Sequence, residues 1–133
     1  MTPRPEGESV VVSGGGTGGH IFPALAVADA LRARTSPRKV VYVGSQGGME
    51  ERLARERGLA FFGIPASGLA RRWTLQNVQA VGRTLAGLWR ARAVLKQVRA
   101  RAVLGTGGFV CGPVVMAAAG LGLPSLIHES NAV

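Results

Sequence analysis

A glycine-rich segment near the N-terminus has the spacing of a phosphate-binding loop. Gly14, Gly16 and Gly19 follow the pattern G-x-G-x-x-G, after an apolar run and before a segment with helical periodicity. Glycines let the backbone approach a ligand closely, so main-chain N–H groups at a helix start can face a phosphate or a sugar oxygen. His20 follows the last glycine and is a candidate general base. The alternatives are an unliganded strand-to-helix turn for the loop and a packed or capping role for His20.

The residues around this loop argue against two common nucleotide sites. An NAD site needs an acid after the second strand, but residues 30–49 contain no Asp or Glu. An NADP site is less firmly excluded, because Ser45 and a nearby arginine could face a 2′-phosphate. An ATP-binding P-loop ends in Lys followed by Ser or Thr, whereas His20 and Ile21 stand at these positions. The loop therefore predicts a site for a phosphate, a sugar oxygen or another anion, and an NADP site stays less firmly excluded than an NAD or ATP site.

The segments that must position this loop alternate between strand and helix. Hydrophobic periodicity and turn residues predict helices over 23–34, with Pro23 in the first turn, and over 49–57, 75–99 and 113–120. We expect Gly82 and Gly87 to split or bend the third helix. Strands are predicted over 9–13, 39–43, 60–64, 102–104 and 125–128. This order is typical of an α/β, Rossmann-like parallel sheet with right-handed crossovers.

Ligands of such sheets bind beyond the carboxyl ends of the strands. The unusual glycine clusters of this chain follow predicted strands. We therefore expect three loops, over residues 14–20, 105–113 and 128–131, to meet at one rim.

The length and composition fit one globular domain. The chain has 133 residues, 47% hydrophobic and 17% charged, which is enough to form a core. We expect residues 1–8 to be a disordered tail and residues 9–133 to form the domain. Cys111 is the single cysteine, the first residues lack the apolar core of a signal peptide, and apolar runs fall short of the roughly 20 residues that cross a membrane. These features predict a cytoplasmic protein with at most peripheral membrane contact.

Positive charge is concentrated in one part of the chain. Lys and Arg number 16 against 7 Asp and Glu, a net charge of +9, and no acid lies between Glu56 and Glu129. Both tryptophans lie in this part beside arginines and leucines, a combination typical of surfaces that bind anionic membranes. The predicted membrane-facing residues are Arg71, Arg72, Trp73, Leu85, Leu88, Trp89, Arg90 and Arg92.

Two other interpretations of the basic segment stay open. Leu85, Leu88 and Trp89 could belong to the core while the arginines face solvent, because helical spacing alone does not show which side faces the sheet. The charge could also bind nucleic acid. No base-reading motif or stacking platform accompanies it, so we expect no nucleic-acid partner.

Three motifs together resemble one enzyme family. Residues 14–26, GGGTGGHIFPALA, closely resemble the N-terminal signature of the MurG-type undecaprenyldiphospho-muramoylpentapeptide β-N-acetylglucosaminyltransferases. Residues 105–113, GTGGFVCGP, are similar to the second glycine loop of that family, and residues 128–132, HESNA, to its His-Glu-Gln-Asn segment. Cys111 and Ser130 stand where the family usually has Ser and Gln.

The resemblance also implies an architecture. The family has the GT-B fold, in which two Rossmann-like domains face each other across a cleft. This chain resembles the N-terminal, acceptor-side domain, without the C-terminal, donor-binding domain. We expect such a half to be inactive on its own.

The resemblance implies a step of peptidoglycan synthesis at the cytoplasmic face of the membrane. GlcNAc would pass from UDP-GlcNAc to the C4 hydroxyl of the MurNAc unit of lipid I, with inversion, giving lipid II without a cofactor or an obligatory metal. Thr17, Gly18, Gly19 and Asn131 are implied to contact the donor. The second loop is implied to hold the acceptor diphosphate, through Gly105, Gly107, Gly108, Phe109, Val110, Cys111 and Gly112.

The identity of the base stays open between His20 and Glu129. We expect His128 to be structural and Cys111 to be a small loop residue, not a nucleophile, because inversion needs no covalent intermediate. The alternative function from another class is a stand-alone nucleotide- or anion-binding Rossmann module, NADP-type or non-enzymatic. A basic membrane-surface module without a ligand site is the third possibility.

Overall fold

The computed structural model describes residues 8–34, 40–65, 75–108 and 110–128. Strands and helices alternate throughout these ranges. The strands are β1 (Ser9–Ser13), β2 (Val40–Ser45), β3 (Ala60–Ile64), β4 (Ala100–Gly105) and β5 (Ser125–Ile127). The helices are α1 (Gly18–Arg34), α2 (Met49–Glu56), α3 (Leu75–Gln97) and α4 (Cys111–Gly120).

The strands form one parallel sheet in the order β3-β2-β1-β4-β5. β1 lies in the centre and pairs with β2 and β4, with Val12 opposite Tyr42 on one side and Leu104 on the other. The valine runs of β1 and β2 are almost entirely buried, as expected for parallel strands with helices on both faces. The predicted α/β, Rossmann-like fold is confirmed.

Two apolar layers hold helices on opposite faces of the sheet. Ile21, Leu25 and Ala28 of α1 and Ala54 of α2 pack with Tyr42 in one buried cluster. The other cluster joins α3 and α4 to the opposite face, through Ala91, Val94, Leu95, Val98, Val114, Ala117 and Ala118. The connection from β3 to β4 crosses β2 and β1 to reach the other half of the sheet, so α3 and α4 lie on the face opposite α1 and α2. Both glycine-rich loops are therefore left at the carboxyl edge between the layers.

Two predicted helix starts are wrong by a few residues. α1 begins at Gly18, so Pro23 lies inside the helix and not in its first turn. α4 begins at Cys111, two residues before the predicted start at Pro113, so the cysteine lies in the first helical turn at the end of the second glycine-rich segment. Glycine and β-branched residues have low helix propensity, so these helix starts depend on tertiary contacts more than on local preference.

The expectation that Gly82 and Gly87 split the third helix is also wrong. α3 runs without interruption through Gly82 and Gly87. Gly87 is buried, and a Cβ built on it would lie 2.2 Å from the carbonyl oxygen of Pro65. This glycine therefore allows the helix to pack closely against Pro65. Within the described ranges, no helix is long and apolar enough to cross a membrane.

Candidate functional site

The two glycine loops lie against each other at the carboxyl edge of the sheet. The first glycine loop (residues 14–20) joins β1 to α1, and the second glycine loop (residues 105–112) joins β4 to α4. Because β1 and β4 are neighbours, the loops are adjacent, and the backbone N–H of Gly15 donates to the carbonyl oxygen of Gly107 at 3.2 Å. Gly108 has a φ of +92°, and a Cβ on it would lie 2.1 Å from the carbonyl oxygen of Gly15. The structure thus brings together two of the three loops expected at the rim.

The third predicted loop is seen only at its first residue. The backbone N–H of His128 donates to the carbonyl oxygen of Gly105 at 2.7 Å. This bond ties the chain after β5 to the second glycine loop. Three predicted site residues lie outside the described part of the chain: Phe109, Glu129 and Asn131.

His20 lies between the two glycine loops in the first turn of α1. Its Nδ1 is 3.2 Å from the carbonyl oxygen of Gly15 and 3.2 Å from the hydroxyl oxygen of Thr17. A carbonyl oxygen only accepts hydrogen bonds, so these partners assign the proton of a neutral imidazole to Nδ1. Nε2 then carries the lone pair, and a Cβ built on Gly107 would lie 2.9 Å from it. The basic nitrogen of His20 is thus placed beside the second glycine loop.

A buried threonine ties the second glycine loop to His20. The hydroxyl of Thr106 donates to the main-chain oxygen of His20 and lies 3.4 Å from the carbonyl oxygen of Ser13. The backbone N–H of Thr106 also donates to Ser13, at 2.9 Å. Sequence reasoning quoted Thr106 only as part of a motif, although a hydroxyl between glycines at a strand end could have indicated this role.

The N-terminal ends of two helices open at this rim. Thr17 precedes α1, and its carbonyl oxygen accepts the N–H groups of His20 and Ile21 at 3.1 and 3.0 Å. Gly18 and Gly19 are the first two residues of α1. Cys111 begins α4 on the other loop. The N-terminal ends of helices carry partial positive charge, so the rim suits anionic groups.

Two further side chains lie beneath the first glycine loop, and sequence reasoning missed both as site residues. The buried hydroxyl of Tyr42 donates to the carbonyl oxygen of Gly14. Burial raises the pKa of Tyr42 above its ordinary value, and the nearby charge of Glu50 raises it further. The phenol is therefore a neutral donor over the ordinary pH range. Glu50, in the first turn of α2, is itself only 1% exposed.

Cys111 is a packing residue of the second glycine loop. Its side chain is buried, and a Cβ on Gly105 would lie 2.3 Å from its Sγ. Burial raises the pKa of the thiol, although a backbone hydrogen bond from Gly107 partly offsets this. A protonated, buried thiol is a weak nucleophile.

A cavity of about 440 Å³ lies beside β4 and β5 on the α1 side of the sheet. Aliphatic groups form most of its wall, among them Pro23 and Val27 of α1 and Leu126 of β5. Thr106 and the exposed His128 also line it. The residues that line this cavity include no cluster of charged side chains, so we assign it no ligand.

The predicted membrane-facing residues are partly exposed and partly buried. Trp89 is 75% exposed and Leu85 56% exposed, so the alternative that places them in the core is wrong for both. Leu88 is half-buried against the core and fits that alternative better. Arg90 and Arg92 are exposed. Three further predicted residues of this surface lie outside the described ranges: Arg71, Arg72 and Trp73.

α4 extends this surface next to α3. Met116 is 61% exposed, and a groove of about 510 Å³ separates it from Trp89 and Arg92. We call this region the α3–α4 surface, and its described members are Leu85, Leu88, Trp89, Arg90, Arg92 and Met116. It combines aliphatic, indole and guanidinium groups, which is the composition of an interfacial membrane contact.

A family model and two curated relatives are similar to this chain over most of its length. A family model described as the glycosyltransferase family 28 N-terminal domain matches residues 10–133. The chain is 44% identical over 124 residues to a UDP-N-acetylglucosamine--N-acetylmuramyl-(pentapeptide) pyrophosphoryl-undecaprenol N-acetylglucosamine transferase of Desulfitobacterium hafniense strain Y51, and 46% identical to the enzyme of that name from Halalkalibacterium halodurans. Each alignment covers 93% of this chain and 34% of the relative.

A solved crystal structure is also similar to this chain over nearly its whole length. The crystal structure of Acinetobacter baumannii MurG superposes with a TM-score of 0.79 at 36% sequence identity, over 96% of this chain and 36% of that one. The chain thus spans about a third of the length of the curated relatives it matches. It belongs to glycosyltransferase family 28 and matches the N-terminal domain of that family.

Proposed function

We propose that this chain is the acceptor-side half of an enzyme that transfers GlcNAc from UDP-GlcNAc to lipid I, forming lipid II. The observation that carries the proposal is the pairing of two glycine loops around His20, with Nε2 of the imidazole beside Gly107. The names of the similar proteins supply the donor and the acceptor. A stand-alone NADP-type or non-enzymatic module has less support, because it explains neither the position of His20 nor the similarity over 93% of the chain.

His20 acts as the general base in this proposal. Nε2 takes the proton from the C4 hydroxyl of the acceptor, and the hydroxyl oxygen attacks the anomeric carbon of GlcNAc. The bond from that carbon to the diphosphate oxygen breaks, UDP leaves, and the anomeric centre is inverted. The contact of Nδ1 with the carbonyl oxygen of Gly15 fixes the ring and stabilises the imidazolium. Glu129 remains the second candidate for the base.

The glycine loops bind the charged and sugar groups. The second glycine loop and the N-terminal end of α4 hold the acceptor diphosphate, because N–H groups and a helix dipole attract phosphate oxygens. Gly107 and Gly108 both have positive φ, which glycine adopts without strain. Thr17, Gly18 and Gly19 contact the donor from the start of α1, and Asn131 holds GlcNAc hydroxyls. The reaction needs no cofactor and no obligatory metal.

The α3–α4 surface binds the membrane that contains lipid I. Exposed Trp89, Leu85 and Met116 enter the headgroup boundary, while Arg90 and Arg92 meet anionic lipids. Each basic group near an anionic surface contributes about 1 kcal/mol, so the arginines and the apolar groups together give reversible anchoring. This arrangement keeps the protein peripheral, at the cytoplasmic face.

A domain replacement tests the proposed function. Residues 10–133 replace the matching segment of the Desulfitobacterium hafniense Y51 transferase, and lipid II formation is measured with labelled UDP-GlcNAc and lipid I. We expect transfer by the chimera and none by the 133-residue chain alone, because the matched transferases are about three times as long. A folded chimera without transfer, beside an active parent enzyme, would contradict the proposal. Saturable NADPH binding by the chain would favour the alternative module.

A further inference from the structure

We propose that Glu50 is a positioning residue that holds the first glycine loop, and through it His20, in place. Glu50 and Glu51 are adjacent acids in the first turn of α2. Glu51 lies toward solvent, where it accepts a hydrogen bond from Gly47 and pairs with Arg55 at 3.1 Å. Glu50 turns inward and is only 1% exposed. A carboxylate is costly to bury unless it receives hydrogen bonds, so its surroundings indicate what it holds.

The carboxylate of Glu50 fixes the turn that follows β2. Its Oε1 accepts a hydrogen bond from the backbone N–H of Ser45 at 2.9 Å and a second one from the Ser45 hydroxyl. The hydroxyl of Ser45 is thereby used in a hydrogen bond to Glu50. Two hydrogen bonds to one buried oxygen therefore tie this end of β2 to α2.

The same carboxylate lies directly against the first glycine loop. A Cβ built on Gly15 would lie 2.5 Å from Oε1 of Glu50. A Cβ on Gly48 would lie 2.8 Å from Oε2, and one on Gly44 would lie 2.5 Å from Cγ. Glycines from two parts of the chain, the first glycine loop and the stretch from β2 to α2, therefore lie close to this one side chain. Glu50 fills the space between the turn after β2 and the first glycine loop, and its position limits where Gly15 can lie.

Gly15 is the residue that connects Glu50 with the candidate active site. Its carbonyl oxygen contacts Nδ1 of His20, and its N–H donates to Gly107 of the second glycine loop, both at 3.2 Å. A shift of Gly15 would disturb the orientation of the imidazole and the pairing of the two loops together. Glu50 therefore acts through Gly15, and its effect on transfer rests on the proposed function.

Amide hydrogen exchange of the 133-residue chain tests the positioning itself. We expect Glu50→Ala to speed exchange in peptides covering residues 14–20 by roughly tenfold or more, as in a locally opened segment. Glu50→Gln keeps the volume and the oxygen that accepts from Ser45, so it should leave this exchange near that of the unchanged chain. Glu51→Ala is the matched control and should leave it unchanged. Unaltered exchange over residues 14–20 in Glu50→Ala would overturn the proposal, whether or not the chimera is active.

A double-mutant cycle in the chimera tests the path through Gly15. Gly15→Ala places a methyl group against the carboxylate, and Glu50→Ala removes the carboxylate. We expect each single change to lower kcat by about tenfold or more while KM changes within about threefold. The fold-loss of kcat in the double variant should be smaller than the product of the two single fold-losses. Multiplicative losses would overturn the proposed path. An unsubstituted chimera without activity would instead count against the proposed function and leave the exchange result to decide the role of Glu50.

Discussion

Cys111 and Tyr42 are two titratable side chains buried near the glycine loops. Burial is the main cause that raises the pKa of each above its ordinary value. In the unfolded state the thiol ionises at about pH 8.5, which is below the pH at which it ionises in the native state. Raising the pH above this value therefore stabilises the unfolded state relative to the native state. The contribution of Cys111 to the free energy of unfolding is therefore complete below that pH and is lost above it.

The pH dependence of unfolding tests this. We expect the free energy of unfolding, from urea titrations, to fall between pH 7.5 and pH 9.5, and to fall less in Cys111→Ala. Tyr42 is present in both proteins, so its own titration cancels in the comparison. Equal pH slopes for the two proteins would contradict a raised thiol pKa.

The sequence predicted the chemistry-bearing residues of the loops better than the residues that support them. Gly14, Gly16 and His20 are recognisable because their spacing is local. Glu50 is not, because nothing in the pattern distinguishes it from Glu51, and its burial depends on a contact with Gly15, 35 positions earlier in the chain. Such support arises only when β1 and β2 become neighbours in the sheet.

At the scale of the elements, α3 contains two glycines in opposite environments. A Cβ on Gly82 meets nothing within 4 Å, whereas one on Gly87 would lie 2.2 Å from the carbonyl oxygen of Pro65. We expect Gly82→Ala to raise the free energy of unfolding by about 0.5–1 kcal/mol, through helix propensity. Gly87→Ala should lower it by about 1–3 kcal/mol, because the backbone must move apart. Denaturant titration of both variants checks this, and equal effects would contradict the close packing of α3.

The α3–α4 surface carries the second prediction at this scale. We expect the chain to co-sediment with anionic liposomes at low salt and less at high salt, and Trp89→Ala combined with Arg90→Ala to weaken this binding. Met49→Ala combined with Arg52→Ala is the matched control, because it removes an exposed apolar residue and an arginine from α2 on the opposite face. Equal loss in both double variants would show that charge alone attracts the chain, and absent binding would contradict the membrane contact.

The order of the elements was predictable, but some of their boundaries were not. The alternation of valine runs with periodic segments is local, so all five strands and four helices were expected in this order. The start of α1 at Gly18 was missed because glycines disfavour helices, whereas tertiary contacts such as those of His20 with the two loops favour a helix there. The role of Gly87 was missed because its close approach to Pro65 is a tertiary contact that the local sequence does not show.

At the scale of the whole molecule, we propose that the site described here forms one side of a cleft in a longer enzyme. The chain covers about a third of the length of its relatives, and the carboxyl edge of its sheet presents two glycine loops, two helix ends and His20. In the proposed reaction this side binds the acceptor diphosphate and supplies the base. In this reaction His20 performs the proton transfer, and the two glycine loops hold it against the acceptor.

The kcat of the chimera with His20→Ala tests whether His20 is the general base. General bases contribute about 10²- to 10⁴-fold to rate, so we expect kcat to fall within that range while KM changes within about threefold. His128→Ala removes the other histidine of the chain, which is exposed and bonds the second loop through its backbone, and should leave kcat near that of the unsubstituted chimera. A His20→Ala chimera that keeps kcat within about threefold of the unsubstituted one would contradict the account.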